Sequence, residues 1–137
     1  MSRGYLNRNP GNIRHSKVMY QGEVCPSKDA SFKQFQSMAY GFRAMFVLLH
    51  TYSTKYHLNT LRAMIERYAP PEENETTEYV NFVSTRTKIA DIQSVDTLNQ
   101  RQMVSIVTAM ARMENGSDPD IADVLEGWEM FIRDYIK

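Results

Sequence analysis

Apolar residues recur along most of this chain at helical intervals, and those intervals predict where its helices run. Phe42, Met45, Phe46, Leu49, Tyr52 and Tyr56 are spaced by three and four, which predicts a helix from about Ser37 to Tyr56 with one buried stripe. A shorter helix follows, capped by Asn59 or Thr60, with Leu61, Met64, Ile65 and Tyr68 on its inner side; Pro70-Pro71 ends it. Thr76 or Thr77 caps the next, whose apolar face is Tyr79, Phe82 and Val83. Lys88 to Thr97 read as a connection in which Ile89, Ile92 and Val95 tuck onto the core. Leu98 to Glu114 predict a helix that buries Met103, Ile106, Val107 and Met110 and stops at Asn115-Gly116. Asp118 caps the last helix with Pro119 at its first position, and Ile121, Val124, Leu125, Trp128, Phe131 and Tyr135 form its inner stripe.

Before Ser37 the helical period disappears. Val18 to Glu23 and Ser31 to Gln36 alternate in part around Cys25-Pro26-Ser27-Lys28-Asp29, which predicts a small hairpin or a pair of extended segments. Arg3 to Arg14 follow neither period. Within them Asn9-Pro10-Gly11-Asn12 is turn chemistry: Pro presets φ, Gly accepts φ > 0, and Asn tolerates left-handed geometry. Asn7, Arg8 and Arg14 add amide and guanidinium groups around that turn. Two readings fit the segment, an ordered loop pinned by Asn–backbone bonds or a polar binding edge. The expected fold class is mainly α, or α+β with one small β element, in a single domain over residues 1–137.

Composition narrows the chemistry. A chain of 137 residues with 42% hydrophobic content can bury one core without disulfides or metal. Cys25 is the one cysteine, and His15, His50 and His57 lack ligand-type spacing, so neither a metal nor another cofactor is expected. No apolar run reaches the ~20 residues of a membrane span, and the N-terminus lacks an apolar signal core. Synthesis in a reducing cytoplasm is therefore expected, with another route to any target outside it. Net charge is zero, which speaks against nucleic-acid binding, yet residues 1–60 hold 8 Lys or Arg against 2 Asp or Glu, and residues 61–137 hold 8 against 14. These charges either spread over one folded surface or turn the basic half towards an anionic polymer such as cell-wall glycan with its peptide carboxylates.

Glu114 stands out because Met110, Val107 and Met103 precede it by four, seven and eleven residues, which places it on the buried stripe of its helix. Partial burial and the negative end of the helix dipole both disfavour its anion and raise its pKa, as a general acid at neutral pH requires. A rim carboxylate reaching water beside the Gly cap is the other reading of the same position.

The sequence resembles small phage and prophage proteins labelled virion structural or lysozyme-like proteins, which open on an Arg-Gly, Asn-Pro-Gly-Asn-Ile-Arg motif. Here that motif is Arg3-Gly4 and Asn9 to Arg14. The likeness continues through Tyr20-Gln21-Gly22, Asp29, Phe32 and Phe35, Gly41-Phe42-Arg43-Ala44, Ala69-Pro70-Pro71 with Glu73-Asn74 and Thr76, and Glu114-Asn115-Gly116. Tyr20 and Tyr68 stand where the family has Trp, which keeps ring stacking available.

The stretch Ala109 to Gly116 also resembles the helix of lysozyme-like enzymes that ends in a catalytic Glu. In those enzymes the Asn-rich turn and β element follow that helix, whereas here they precede it, as a circular permutation of the fold would arrange. The resemblance implies a peptidoglycan glycan-strand-cleaving enzyme, a lysozyme or lytic transglycosylase of phage or prophage origin. Glu114 would protonate the glycosidic oxygen, and Asp29 or Glu73, with Glu23 a weaker third, would serve as the second carboxylate of a hydrolytic route. Asn7, Asn9, Asn12 and Arg14 would bind N-acetyl, lactyl or peptide groups, and Tyr20 would stack on a sugar face.

The alternative is a non-catalytic virion structural or interaction protein with the same fold. Expected partners are glycan strands and virion proteins, with action on the wall after release or as part of a virion. A DNA-associated helical domain has only the basic N-terminal half behind it.

Overall fold

The computed structural model describes residues 1–72 and 74–135. In chain order the elements are α1 (Arg3–Leu6), β1 (Glu23–Val24), β2 (Gln34–Phe35), α2 (Met38–Tyr56), α3 (Leu61–Tyr68), α4 (Thr76–Thr87), α5 (Gln100–Asn115) and α6 (Ile121–Tyr135). The chain is mainly helical with one small antiparallel sheet, in which Glu23 faces Phe35 and Val24 faces Gln34. An isolated bridge between Arg14 and Phe32 ties the Asn-rich segment to the same hairpin.

The long helix α2 forms where its periodic stripe predicts. Ser37 caps it by accepting the Tyr40 N–H, and Phe42, Met45, Phe46 and Leu49 are fully buried. It packs on α6 through an edge-to-face pair of Phe46 and Trp128, with ring centroids 5.1 Å apart, and through Phe131, 6.0 Å from Phe46. Gly127 lets the two backbones approach, since a Cβ there would collide with the Ala39 carbonyl oxygen and the Phe42 side chain. Arg43, 7% exposed, is carried into this interface and donates to Asp134 at 2.7 Å. Helices α3, α4 and α5 complete the core through Leu61, Met64, Ile65, Val80, Val83, Met103, Ile106 and Val107.

Several boundaries differ from the sequence expectation, each for a local reason. Arg3 to Leu6 form one helical turn because Ser2 accepts the Tyr5 N–H, a cap that no apolar period signals. Thr76 is the first residue of α4 and not its cap; its hydroxyl is turned inward and donates to the Ala69 carbonyl at 2.6 Å. The last helix starts at Ile121, after Asp118 and Pro119, because Asp118 is engaged by Arg86 at 2.8 Å while Asp120 accepts the Ala122 N–H. Ile92, Ile121, Leu125, Tyr56 and Tyr135 lie at the ends or rims of their stripes and are exposed.

The hairpin encloses an ion pair. Lys33 is 1% exposed, and its ammonium donates to Glu23 at 3.1 Å and to the Val18 carbonyl at 2.8 Å. A buried ammonium persists only when paired and hydrogen-bonded in this way.

Candidate functional site

The Asn-rich segment folds against the C-terminal end of α5. Asn9 is wholly buried: its amide donates to the Ile13 and Lys33 carbonyls at 3.0 and 2.9 Å and accepts the Ile13 N–H at 2.9 Å. With all three bonds taken by backbone, Asn9 closes the turn and has nothing to offer a ligand. Three residues on, Asn12 adopts φ 49°, a left-handed conformation that Asn tolerates better than most residues. From there its amide donates to Glu114 Oε1 at 3.0 Å.

Asn115 holds the other side of the junction. It donates to the Pro10 and Ala111 carbonyls at 2.7 and 2.9 Å and accepts the Ser2 hydroxyl at 2.6 Å. Gly4 on α1 passes between these amides, where a Cβ would collide with Asn12 Oδ1, Asn115 Oδ1 and the Asn9 carbonyl oxygen. The Tyr68 hydroxyl donates to the Gly11 carbonyl at 2.5 Å. Three segments distant in sequence, residues 2–12, Tyr68 of α3 and the end of α5, are thus locked together around Glu114.

Glu114 opens on a cavity of about 380 Å³ whose walls include Asn12, Arg14, Tyr20, Tyr68 and Arg67. That volume lies within the range of small-molecule and glycan sites. Although the residue is partly exposed towards the cavity, desolvation by the surrounding protein is the largest influence on its carboxyl and pushes its pKa up. The Asn12 amide, the Tyr79 hydroxyl and the Arg14 charge act in the opposite direction and leave a net upward shift. Tyr79 is buried beside it, with a hydroxyl that completes no hydrogen bond of full geometry. Burial also raises Tyr68 and Tyr79 far above the usual phenol range, with the Glu114 charge adding to it, so both stay neutral hydroxyls.

The remaining predicted residues divide. Arg14 lines the cavity, with its guanidinium 5.2 Å from the Phe32 ring. Tyr20 lines it too, half-buried, its hydroxyl pushed up to about 12 by burial. Asn7 does not; it donates to Asp29 at 3.0 Å. Asp29 stands apart from the cavity as well. Its side chain, 9% exposed, receives both Arg3 bonds at 2.6 and 2.7 Å, the Asn7 amide and the Ser31 and Phe32 N–H groups. These donors hold its carboxyl far below the usual range. A carboxylate with its lone pairs so occupied is a bracket for the N-terminal turn, not a base or nucleophile. Glu23 is tied to Lys33 in the hairpin.

Glu73 lies outside the described residues, while Pro70 and Asn74 of the same loop border the cavity. Among the described residues Glu114 is the carboxylate of this cavity, and no group of three or more His, Cys, Asp or Glu converges on a metal-sized site.

Sequence reasoning missed Asn115, Tyr68, Tyr79 and Arg67. The two tyrosines sit on apolar stripes and read as core, but a buried phenol also needs a partner for its hydroxyl, and that need is the signal that was available.

No family model matches the chain. A phage relative does: Protein P5 of Pseudoalteromonas phage PM2 is 37% identical over 132 residues, which span 93% of this chain and 81% of that protein. At that identity and coverage, the chain belongs to the family of Protein P5, a phage protein.

Proposed function

We propose that the chain cleaves the glycan strands of peptidoglycan, as a lysozyme or lytic transglycosylase of phage or prophage origin, with Glu114 as its general acid. The observation that carries this reading is the carboxyl of Glu114, raised in pKa by desolvation and fixed by Asn12 at the edge of a cavity large enough for sugar rings. A neutral carboxyl there has a proton to give to a glycosidic oxygen. The juxtaposition of Asn12 with the α5 terminus also supports a lysozyme-like fold, circularly permuted and formed by one domain over residues 1–137.

Arg14 and Tyr20 contact the substrate in this reading. Asn12 holds Glu114, while Asn7, Asn9 and Asp29 serve the fold. Departure of the leaving group develops an oxocarbenium-like centre, which is captured by water or by an internal sugar hydroxyl. Glu73 is the carboxylate proposed to activate water in the hydrolytic route. Transglycosylation needs no second carboxylate, and Glu114 returns as base to accept the proton of the sugar hydroxyl. The protein is proposed to be made in the bacterial cytoplasm and to reach the wall after release or within a virion.

Muropeptide release from purified peptidoglycan tests the reading. Wild type is expected to release product, and Glu114→Gln to lose on the order of 10²–10⁴ in rate with the fold retained. Absence of product from several peptidoglycan types favours the second reading, a non-catalytic virion protein, which the phage relationship supports. Full activity in Glu114→Gln would remove Glu114 from its role and make Glu73→Gln the next variant to measure.

A further inference from the structure

Arg67 and Arg14 line the cavity that contains Glu114, and neither forms an ion pair among the described residues. The contrast with Arg3, Lys33, Arg43, Arg62 and Arg86 is clear, since each of those is bound to an Asp or Glu. Both cavity arginines are laid against aromatic rings; Arg3, Lys33 and Arg86 also meet rings, but their charged ends are already taken by a carboxylate. The Arg67 guanidinium carbon lies 4.0 Å from the Tyr56 ring centroid and 5.4 Å from that of Tyr52, and the Arg14 carbon lies 5.2 Å from Phe32.

A stacked guanidinium covers its face and leaves its N–H edge available, and that edge matches a carboxylate bidentately. Stacking also restricts the side chain in advance, so less rotamer freedom is lost when a ligand arrives. The two arginines come from different elements, α3 and the segment that pairs with the hairpin, and therefore address the cavity from separate walls.

Two isolated cations suit a polymer whose negative charges are sparse. A nucleic acid carries a phosphate at every nucleotide and is bound by longer runs of Lys and Arg. Here it would also bring phosphates beside the Glu114 carboxyl. Glycan bearing short peptides has neutral sugars between carboxylates, which places hydroxyl and amide groups at Glu114 and the anionic ends at the walls.

We propose that Arg67 and Arg14 form a carboxylate-binding subsite that selects glycan strands bearing peptide stems with free carboxylates over the same sugars without stems. This inference rests on the glycan reading of Glu114.

The test is equilibrium binding to the full-length Glu114→Gln protein, which holds the substrate without turning it over. The probes are soluble peptidoglycan strands with intact stems, the same strands stripped of stems by an amidase and then capped as amides at the lactyl carboxyls that the hydrolysis exposes, and a short single-stranded oligonucleotide. Stem-bearing strands are expected to bind more tightly than stripped ones. Adding Arg67→Ala is expected to weaken stem-bearing strands about 10-fold to 100-fold, the range of charge-assisted hydrogen bonds, and to leave stripped strands unchanged. Arg67→Lys should restore only part of the loss, because a point charge cannot reproduce the fork, and Arg14→Ala should act in the same direction as Arg67→Ala. Melting curves of each variant confirm that the fold is retained.

Equal binding of stem-bearing and stripped strands would overturn the subsite while leaving the glycan reading standing. So would an equal loss on both strands in Arg67→Ala, which assigns the arginine to packing. Tighter binding of the oligonucleotide, lost in Arg67→Ala, would replace the glycan with a nucleic acid. Failure of every strand to bind would overturn the subsite and the glycan reading together.

Discussion

The α2–α6 interface and the junction of the Asn-rich segment with α5 are both well buried, and they are held together by different physics. Between α2 and α6, Phe46, Trp128 and Phe131 exclude water from rings packed 5.1 to 6.0 Å apart. Apolar burial is non-directional, so neighbouring rings can share a loss. At the junction, Asn9, Asn12, Asn115 and Tyr68 each satisfy named backbone or carboxyl atoms. A hydrogen bond has direction, and its buried partner has no substitute when it is removed. The first region therefore supplies stability in bulk, and the second fixes the position of Glu114 through Asn12.

Substitutions separate the two. Phe46→Ala should cost about 3–5 kcal/mol, the usual range for truncating a buried aromatic, measured by urea denaturation. Because Phe42, Met45 and Leu49 of α2 stay buried, the residual protein should keep the proposed glycan-cleaving activity wherever it stays folded. Asn9→Leu should cost a comparable amount, roughly 1–3 kcal/mol for each of the two buried groups left unpaired, the Ile13 N–H and the Lys33 carbonyl, while the Ile13 carbonyl still accepts the Lys33 N–H. Its effect on muropeptide release, measured under conditions where both variants are fully folded, should nevertheless exceed that of Phe46→Ala, since it loosens the turn that carries Asn12. Reversal of that order would mean that the junction does not position the acid.

Glu114→Gln sharpens the comparison through pH. Its folded-state pKa is raised, so wild type holds the proton more tightly when folded and loses stability as pH climbs from the ordinary carboxyl value through the raised one. The slope is bounded by about 1.4 kcal/mol per pH unit inside that window and vanishes beyond it. The Gln variant does not titrate. It should match wild type below the ordinary carboxyl pKa and exceed it at pH 7, and a wild type that is the more stable at pH 7 would show the carboxylate to be favoured by its surroundings. The smallest effect is expected away from both regions: Arg86→Ala breaks an exposed pair with Asp118 and should change stability by about 0–1 kcal/mol, less at high salt.

The apolar stripes of α2, α3 and α5 were legible because a helix surface repeats every 3.6 residues and water exclusion acts on every member of a stripe. Leu61, Met64, Ile65, Met103, Ile106, Val107 and Met110 all lie in the core as their spacing predicts. Glu114 was legible for the same reason, as a charged residue at the end of such a stripe. Ile121, Leu125 and Tyr135 were not: they carry the period of α6 yet stay exposed, Tyr135 with only one edge against His50 of α2.

For the polar residues the sequence supplied composition without partners. Residue types left Asn7, Asn9 and Asn12 open between a loop pinned by Asn–backbone bonds and a polar binding edge, and the family resemblance implied ligand contacts for them and a catalytic role for Asp29. Only the folded chain shows that Asn9 faces its own turn, that Asn7 and Arg3 occupy Asp29, and that Asn12 reaches Glu114 from 102 positions away. The physical reason is the range of the forces. Periodic burial is written locally, residue by residue along a helix, whereas a hydrogen bond is decided by which two atoms the tertiary structure brings within about 3 Å.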